Sequence, residues 1–319
     1  MTSLAGRDRQ TLPNLPSAIR RRRIEFNHGM QLTTLRAAVD AAVVRRTKEK
    51  LIVNEPNLED QIAGARAYEG LHVPALFKQW CHRVLDAAGV KPGQRVLDVA
   101  CGTGVLAREA AARVGPAGRV AGVDPGRGML AVARELAPNV EWREGAAEAL
   151  PYPDQSFDAV VSQFGLMFFS DRSQGLREMI RVLEPGGRLA VAVWDSLENS
   201  DAYPIEVEVL ERLAGGAAAN ALRAPFVLGN RDALIALFEG SGVKSVGIET
   251  ENGTARFPRI KAMVEADLRG WLPVMGVFLK EDQIQTILEE AETALAEYVT
   301  AKSEVVFNAP AHIVTGTKP

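Results

Sequence analysis

Asp98 sits inside an otherwise apolar run, Val96-Leu97-Asp98-Val99-Ala100, which breaks at once into Cys101-Gly102-Thr103-Gly104. A carboxylate at the end of a buried strand is costly unless a cation or hydrogen-bond donors meet it. The glycines let the backbone approach a ligand closely. The apolar spacing of Val105, Leu106, Ala110 and Ala111 starts a helix directly after them. Strand, tight turn and helix N-terminus together make a cradle for an anionic or nucleoside ligand. The acid narrows the choice, because it repels a pyrophosphate at this turn and attracts a ligand that brings positive charge there. A second acid, Asp124, closes the next apolar run, twenty residues beyond Gly104. An acid in that place suits a pair of ribose hydroxyls. It serves equally as the N-cap of the following helix.

Two further stretches carry candidate chemistry. Glu144-Gly145-Ala146-Ala147-Glu148 through Asp154 follows a third strand-like run. Gln163-Phe164-Gly165-Leu166-Met167-Phe168-Phe169 closes a fourth. Aromatic and methionine side chains at a sheet's carboxyl edge suit an aromatic substrate or a sulfonium. They equally suit a core.

The elements that would position these residues alternate. Strands are predicted over 95–100, 119–123, 140–144, 159–163 and 188–194, with helices near 105–114, 127–136 and 173–182. This alternation argues for a doubly wound, mostly parallel sheet. Upstream, an amphipathic helix is predicted over 31–53 and a helical pattern over 58–88, interrupted near Pro74. Beyond Asp195 the pattern gives helices over about 200–240, a strand over 243–251, helices over 259–302 and a strand over 312–317. The helices are expected to cap the carboxyl edge of the sheet. The expected division is an N-terminal extension, 1–57, partly disordered with one helix, and one domain over 58–319.

Composition bounds the partners. The chain has 319 residues, 47% hydrophobic and 24% charged, ordinary values for a globular protein with a full α/β core. A net charge of −3 implies no general affinity for nucleic acid. Cys81 and Cys101 stand outside any CxxC or Cys/His cluster, so neither a metal site nor a disulfide framework is indicated. No apolar run approaches the roughly 20 residues of a membrane span. Arg20–Arg23 lack the apolar segment of a secretory signal, and Met30 offers a second start. These features predict a cytoplasmic protein with a small-molecule partner, as a monomer or a homodimer.

In order, Val96–Gly104, Val120–Asp124, Gly145–Pro153, Phe157–Val161 and Arg181–Gly187 resemble the motifs of class I S-adenosylmethionine-dependent methyltransferases. The chain is most similar to the ubiquinone/menaquinone-methyltransferase-like (methyltransferase type 11) group, and the resemblance covers about residues 60–195. It implies a Rossmann-like, seven-stranded sheet and S-adenosyl-L-methionine as cofactor. It further implies that Asp98 with Ala100, Cys101, Gly102 and Gly104 holds the methionine end. Asp124 would hold the ribose, and Pro125 and Met129 would flank the adenine. Ala146 and Ala147 would present the loop at the adenine edge, Gln163 and Phe164 would line the methyl-bearing side, and Tyr68 would contact the amino-acid end. Ala146 departs from the acid or amide of many relatives, leaving the adenine amino group to a backbone carbonyl or to Glu148.

The acceptor side is less specific. Of the four histidines, His28 falls in the extension, and His312 lies in the last strand and reads as structural. His72 and His82 precede the first strand; His72, close to Tyr68, is the candidate base. Phe168, Trp194, Trp271 and Met275 are candidates to line an acceptor pocket. Trp271, Met275 and Phe278 also fit the packed face of a helix. The implied activity is methyl transfer to a small, apolar or aromatic acceptor by in-line displacement at the sulfonium. A quinone-biosynthesis C-methyltransferase and a non-catalytic S-adenosylmethionine-binding protein stand beside it. Gly102-Thr103-Gly104-Val105-Leu106-Ala107 also fits a dinucleotide fingerprint, which Asp98 and the later motifs oppose. The acidic pattern of the expected cap disfavours a nucleic-acid or protein acceptor.

Overall fold

The computed structural model describes residues 57–319. The expected 31–53 helix, Arg20–Arg23, His28 and Met30 lie outside the described residues. Asn57 caps the first helix, α1 (Leu58–His72), by accepting the Asp60 backbone N–H. Glu59 and Asp60 place negative charge where the helix dipole is positive. Pro74 has no N–H to give, and the helical ladder slips there. The chain passes through a π turn, Val73–Phe77, and a 3-10 turn, Lys78–Trp80, before α2 (Cys81–Ala87).

Strands and helices then alternate as expected: β1 (Arg95–Val99), α3 (Val105–Val114), β2 (Arg119–Asp124), α4 (Arg127–Leu136), β3 (Glu141–Glu144), β4 (Phe157–Gln163), α5 (Arg172–Val182) and β5 (Leu183–Trp194). β5 begins earlier than the sequence suggests. Leu183 pairs with Phe157, and the register then shifts before Arg188 pairs with Ala159. Pro185-Gly186-Gly187 is absorbed as an irregularity in the strand.

Residues 244–317 complete the sheet with β6 (Lys244–Glu251) and β9 (Ala311–Thr317). Strand order is β3-β2-β1-β4-β5-β9-β6. β1 to β5 are parallel, and β9 runs antiparallel between β5 and β6. This is the seven-stranded, mostly parallel, Rossmann-like sheet. Its central strands are apolar along their length because both faces are covered: Val96, Leu97, Val99, Val160, Val161 and Leu189 are all buried. Each such side chain contributes roughly 1.5–3 kcal/mol by leaving water. Arg95 ties the start of β1 to its neighbours, donating to Asp158 at 2.6 Å and to Glu184 at 3.1 Å. The chain leaves β1 for β2 and β3 on one side and returns to β4 on the other. The carboxyl ends of β1 and β4 therefore flank the crevice in which open α/β sheets bind ligands.

The remaining elements are α6 (Tyr203–Ala214), α7 (Gly216–Arg223), α8 (Arg231–Gly240), β7 (Thr254–Phe257), α9 (Ile260–Ala266), α10 (Glu281–Ala294) and β8 (Val305–Asn308). α6, α7, α9 and α10 pack into one cluster, whereas α8 packs on β6 and α5. The 200–240 stretch is therefore part cap and part flank of the sheet. β7 and β8 form a two-stranded antiparallel sheet in stretches to which the sequence pattern assigned no element. The expected stripe of Trp271, Met275 and Phe278 is not one helix face. A π turn (Asp267–Trp271) and a short turn (Leu272–Val274, with Pro273) end at Gly276, whose φ is +75°. Phe278 lies in the irregular stretch that follows, exposed.

Candidate functional site

The turn after β1 is built on unusual backbone. Ala100 at the end of β1 and Phe164 at the end of β4 both have φ of 58°. A left-handed conformation costs a residue with a Cβ roughly 1–2 kcal/mol, and such strain clusters at ligand sites. Gly104, the N-cap of α3, has φ of 83°. A Cβ there would lie 2.3 Å from the Trp142 ring, so only glycine fits.

Asp124 locks the turn. Its Oδ2 accepts the Gly102 N–H at 2.9 Å, and its Oδ1 accepts the Gly126 N–H at 2.7 Å. Gly126, not Asp124, is the N-cap of α4, which corrects the capping alternative. Burial pushes the Asp124 pKa up, opposed by these two backbone donors.

A cavity of about 60 Å³ opens beside the turn, lined in part by Tyr68, Phe77, Asp98, Gly102, Gln163 and Phe164. Asp98 is 1% exposed, and its Oδ2 has no hydrogen-bond partner. Burial raises its pKa well above the ordinary value, and Asp124 adds to the rise. Gln163 donates from Nε2 to the Phe77 carbonyl at 3.1 Å, while its buried Oε1 is unpartnered. Two orphaned acceptors on one small cavity fit a group that brings N–H donors and positive charge.

α1 forms the opposite wall. Gly128 permits its approach, since a Cβ there would stand 2.5 Å from the Gln61 backbone. Glu69 accepts from Thr103 Oγ1 at 2.5 Å and from Arg108 at 2.6 Å, and Arg108 also donates to the Thr103 carbonyl at 2.6 Å. This strap of Glu69, Thr103 and Arg108 escaped the sequence reading. Its partners are distant in sequence, and no local pattern pairs them.

The adenine-side candidates surround Asp124. Gly145 donates its N–H to the Asp124 carbonyl at 3.2 Å. Pro125 and Ala146 are exposed, Met129 is half-buried and Ala147 is buried. Glu148 is engaged through Oε1 by the Asp171 N–H at 3.1 Å. Cys101 is buried on the cavity wall with a free thiol.

The acceptor candidates divide. Phe164 stacks on Trp194, with ring centroids 3.9 Å apart and planes 13° from parallel. Trp80 meets both rings edge-on, and Phe77 is tilted against both. Trp194 is thus buried in an aromatic cluster behind Phe164. Phe168, 43% exposed, packs against Trp271 at 5.0 Å. Trp271 is anchored by its Nε1 donating to the Ala221 carbonyl at 2.8 Å. Met275 lies on the following turn, partly exposed.

The histidines separate in the same way. His72 stacks on Tyr68 at 5.7 Å and places Nε2 3.5 Å from Asp267 Oδ1. His312 is buried between Thr250 Oγ1 on Nδ1 (2.9 Å) and the Gly229 carbonyl on Nε2 (2.8 Å). Asp195 adds an oxygen 3.0 Å from Nε2, so His312 ties β9 to β6 and to the loop after β5. His82 is exposed on a separate groove with Arg83, Asp86 and residues of β6 and β9. Among the described residues no group of three His, Cys, Asp or Glu side chains is arranged to hold a metal ion. No helix among them is long and apolar enough to cross a membrane.

Comparison with known proteins adds the following. Residues 96–187 match the family model described as a methyltransferase domain. The ubiquinone/menaquinone biosynthesis C-methyltransferase UbiE of Hahella chejuensis is 42% identical over 139 residues, covering 41% of this chain and 56% of the relative. The Cronobacter sakazakii protein of the same name is 39% identical over 144 residues, 41% of this chain and 57% of its own. The matched region thus spans little more than half of these relatives. Phosphoethanolamine N-methyltransferase 2 of Haemonchus contortus, solved with S-adenosyl-L-methionine, superposes with a TM-score of 0.52 at 22% identity, over 81% of this chain and 57% of that one. The YcgJ protein of Bacillus subtilis gives 0.50 at 21% identity, over 75% and 98%. These two likenesses concern the fold. The family match runs from β1 into β5 and includes both acidic strand ends, within a seven-stranded sheet of Rossmann-like architecture.

Proposed function

We propose that this domain transfers a methyl group from S-adenosyl-L-methionine to a small, apolar or aromatic acceptor by in-line displacement. The observation that carries the reading is the unpartnered, buried Asp98 Oδ2 on the cavity between the ends of β1 and β4. Asp98 receives the ammonium of the methionine end, whose charge offsets the cost of burying the carboxylate. Tyr68 and the backbone of Ala100, Cys101, Gly102 and Gly104 shape that end of the site. Asp124 takes the ribose hydroxyls, with Pro125, Met129, Ala146 and Ala147 around the adenine. Bound there, the cofactor supplies a methyl group activated by a positively charged sulfur. Gln163 and Phe164 line the methyl-bearing side, and Phe168, Trp271 and Met275 lie toward the acceptor. The protein's work is alignment and exclusion of water.

The shared name of the two relatives, 42% and 39% identical, favours one narrower reading, carbon methylation of a quinone precursor. We place the enzyme in the cytoplasm, as a monomer or homodimer acting on a free small molecule. Calorimetric titration with S-adenosylmethionine, S-adenosylhomocysteine and NAD tests the cofactor. Micromolar binding of the first two supports the reading, and binding of NAD alone overturns it. Transfer of labelled methyl to a carbon of a reduced naphthoquinone would favour the narrower reading.

A further inference from the structure

A second cluster of buried polar groups lies where the cap meets α1. The His72 ring stacks on Tyr68, and Tyr68 lines the cavity beside Asp98. His72 Nε2 stands 3.5 Å from Asp267 Oδ1, while His72 Nδ1 and Asp267 Oδ2 are buried without partners. Phe257 of β7 meets the imidazole edge-on. Glu206 of α6 is fully buried with both carboxyl oxygens unpartnered. Burial, then Asp267, raises its pKa. Buried Tyr203 feels both acids. The groups that face His72 are therefore Tyr68 from α1, Asp267 from the π turn and Phe257 from β7, with Glu206 and Tyr203 acting through Asp267.

Each unpartnered buried polar group loses its hydration without compensation, so stability does not explain the cluster. Its geometry is that of a base and its orienter. A carboxylate 3.5 Å from Nε2 favours the proton on that nitrogen and leaves the Nδ1 lone pair free. We infer that Asp267 is a positioning residue that holds His72 in the Nε2–H form, so that Nδ1 serves as base toward an acceptor hydroxyl, a phenol or enol. This rests on the reading of the Tyr68-lined cavity as the cofactor's site. The acceptor's O–H proton passes to Nδ1, and the acceptor oxygen forms its bond to the methyl carbon. The electron pair of the breaking carbon–sulfur bond stays on sulfur, which becomes a neutral thioether. Protonated His72 then faces Asp267.

Nitrogen-15 NMR of histidine-labelled full-length protein reads the tautomer directly, with His72→Gln assigning the resonance. The expected result is a protonated Nε2 and a pyridine-like Nδ1 in the wild-type protein. Asp267→Asn should reduce that preference. It should also lower kcat for labelled methyl transfer to 1-naphthol by about tenfold or more, within the range of general-base effects. KM and S-adenosylmethionine affinity should change less than twofold. A protonated Nδ1 in the wild-type protein, or a tautomer unchanged in Asp267→Asn, overturns the inference. So does methylation of 1-naphthol on carbon. If 1-naphthol is not turned over, the tautomer decides. Absent S-adenosylmethionine binding by the wild-type protein would instead sink the cofactor reading, a separate failure seen in the calorimeter.

Discussion

Asp124 Oδ2 and the Gly102 N–H join across 22 residues of chain at 2.9 Å, so the end of β2 and the turn after β1 form one unit. Each controls the shape of the other. Asp124→Ala is expected to weaken S-adenosylmethionine binding about tenfold or more, since the Gly102 N–H loses its acceptor and, on the proposed assignment, so do the ribose hydroxyls. Calorimetry checks this. Unchanged affinity would move the ribose elsewhere.

Gly104→Ala should be strongly destabilising. The left-handed backbone costs an alanine about 1–2 kcal/mol, and the clash with Trp142 adds about 1–3 kcal/mol of overpacking. Urea unfolding measures the sum. Adding Trp142→Phe should recover the packing part and leave the backbone part. Recovery of both would show that the turn relaxes out of its left-handed form.

Glu206 predicts a pH dependence of stability. Its folded pKa is raised well above 4.5, so the protein's advantage from it is full below about pH 4.5 and is lost as pH rises toward the folded value. Glu206→Gln mimics the neutral acid. The variant should match the wild type at low pH and become more stable with rising pH, by up to about 1.4 kcal/mol per pH unit until the folded pKa is reached. Melting temperatures measured from pH 4 to 8 test it. A gap independent of pH would mean that Glu206 gains a partner in solution.

The strap from Glu69 to Thr103 and Arg108 should govern ligand exchange, because α1 walls the cavity. Glu69→Gln keeps the shape and removes the charge. Partly buried charge-assisted hydrogen bonds contribute roughly 1.5–3 kcal/mol, so dissociation of S-adenosylhomocysteine should speed up about tenfold or more, with little change in association. Stopped-flow fluorescence reads both rates. An unchanged dissociation rate would show that α1 does not hold the ligand.

Local pattern revealed what local forces decide. α3 runs between Gly104 and Gly115, and α4 from Gly126 to just before Pro138, as their apolar spacing implied, and Asp98 stood out because a lone acid in an apolar run demands a partner. What pattern missed depends on contacts far apart in the chain. Glu69 and Arg108 are 39 residues apart, and nothing near either announces the pairing. β7 and β8 are four-residue strands separated by helices; only the alternation of Ala255 with Phe257 and of Val305 with Phe307 could have betrayed them. The Trp271, Met275 and Phe278 spacing misled because Pro273 and Gly276 end the helix inside it. His72 was legible as a histidine near Tyr68, but Asp267, its partner, comes from a turn nearly 200 residues away.

β9 occupies the slot between β5 and β6, although it follows every other strand in the chain. Until residues 311–317 dock, β5 presents an unpaired edge of Leu189, Ala190, Val191, Ala192 and Val193, and β6 has nothing to join. An open apolar edge of that kind recruits other chains. A polypeptide stopped short of Ala311 is therefore an adhesive fragment and not a smaller folded protein. A peptide carrying the β9 residues is its natural complement, and the solubility of the nascent protein hangs on how soon that last strand arrives.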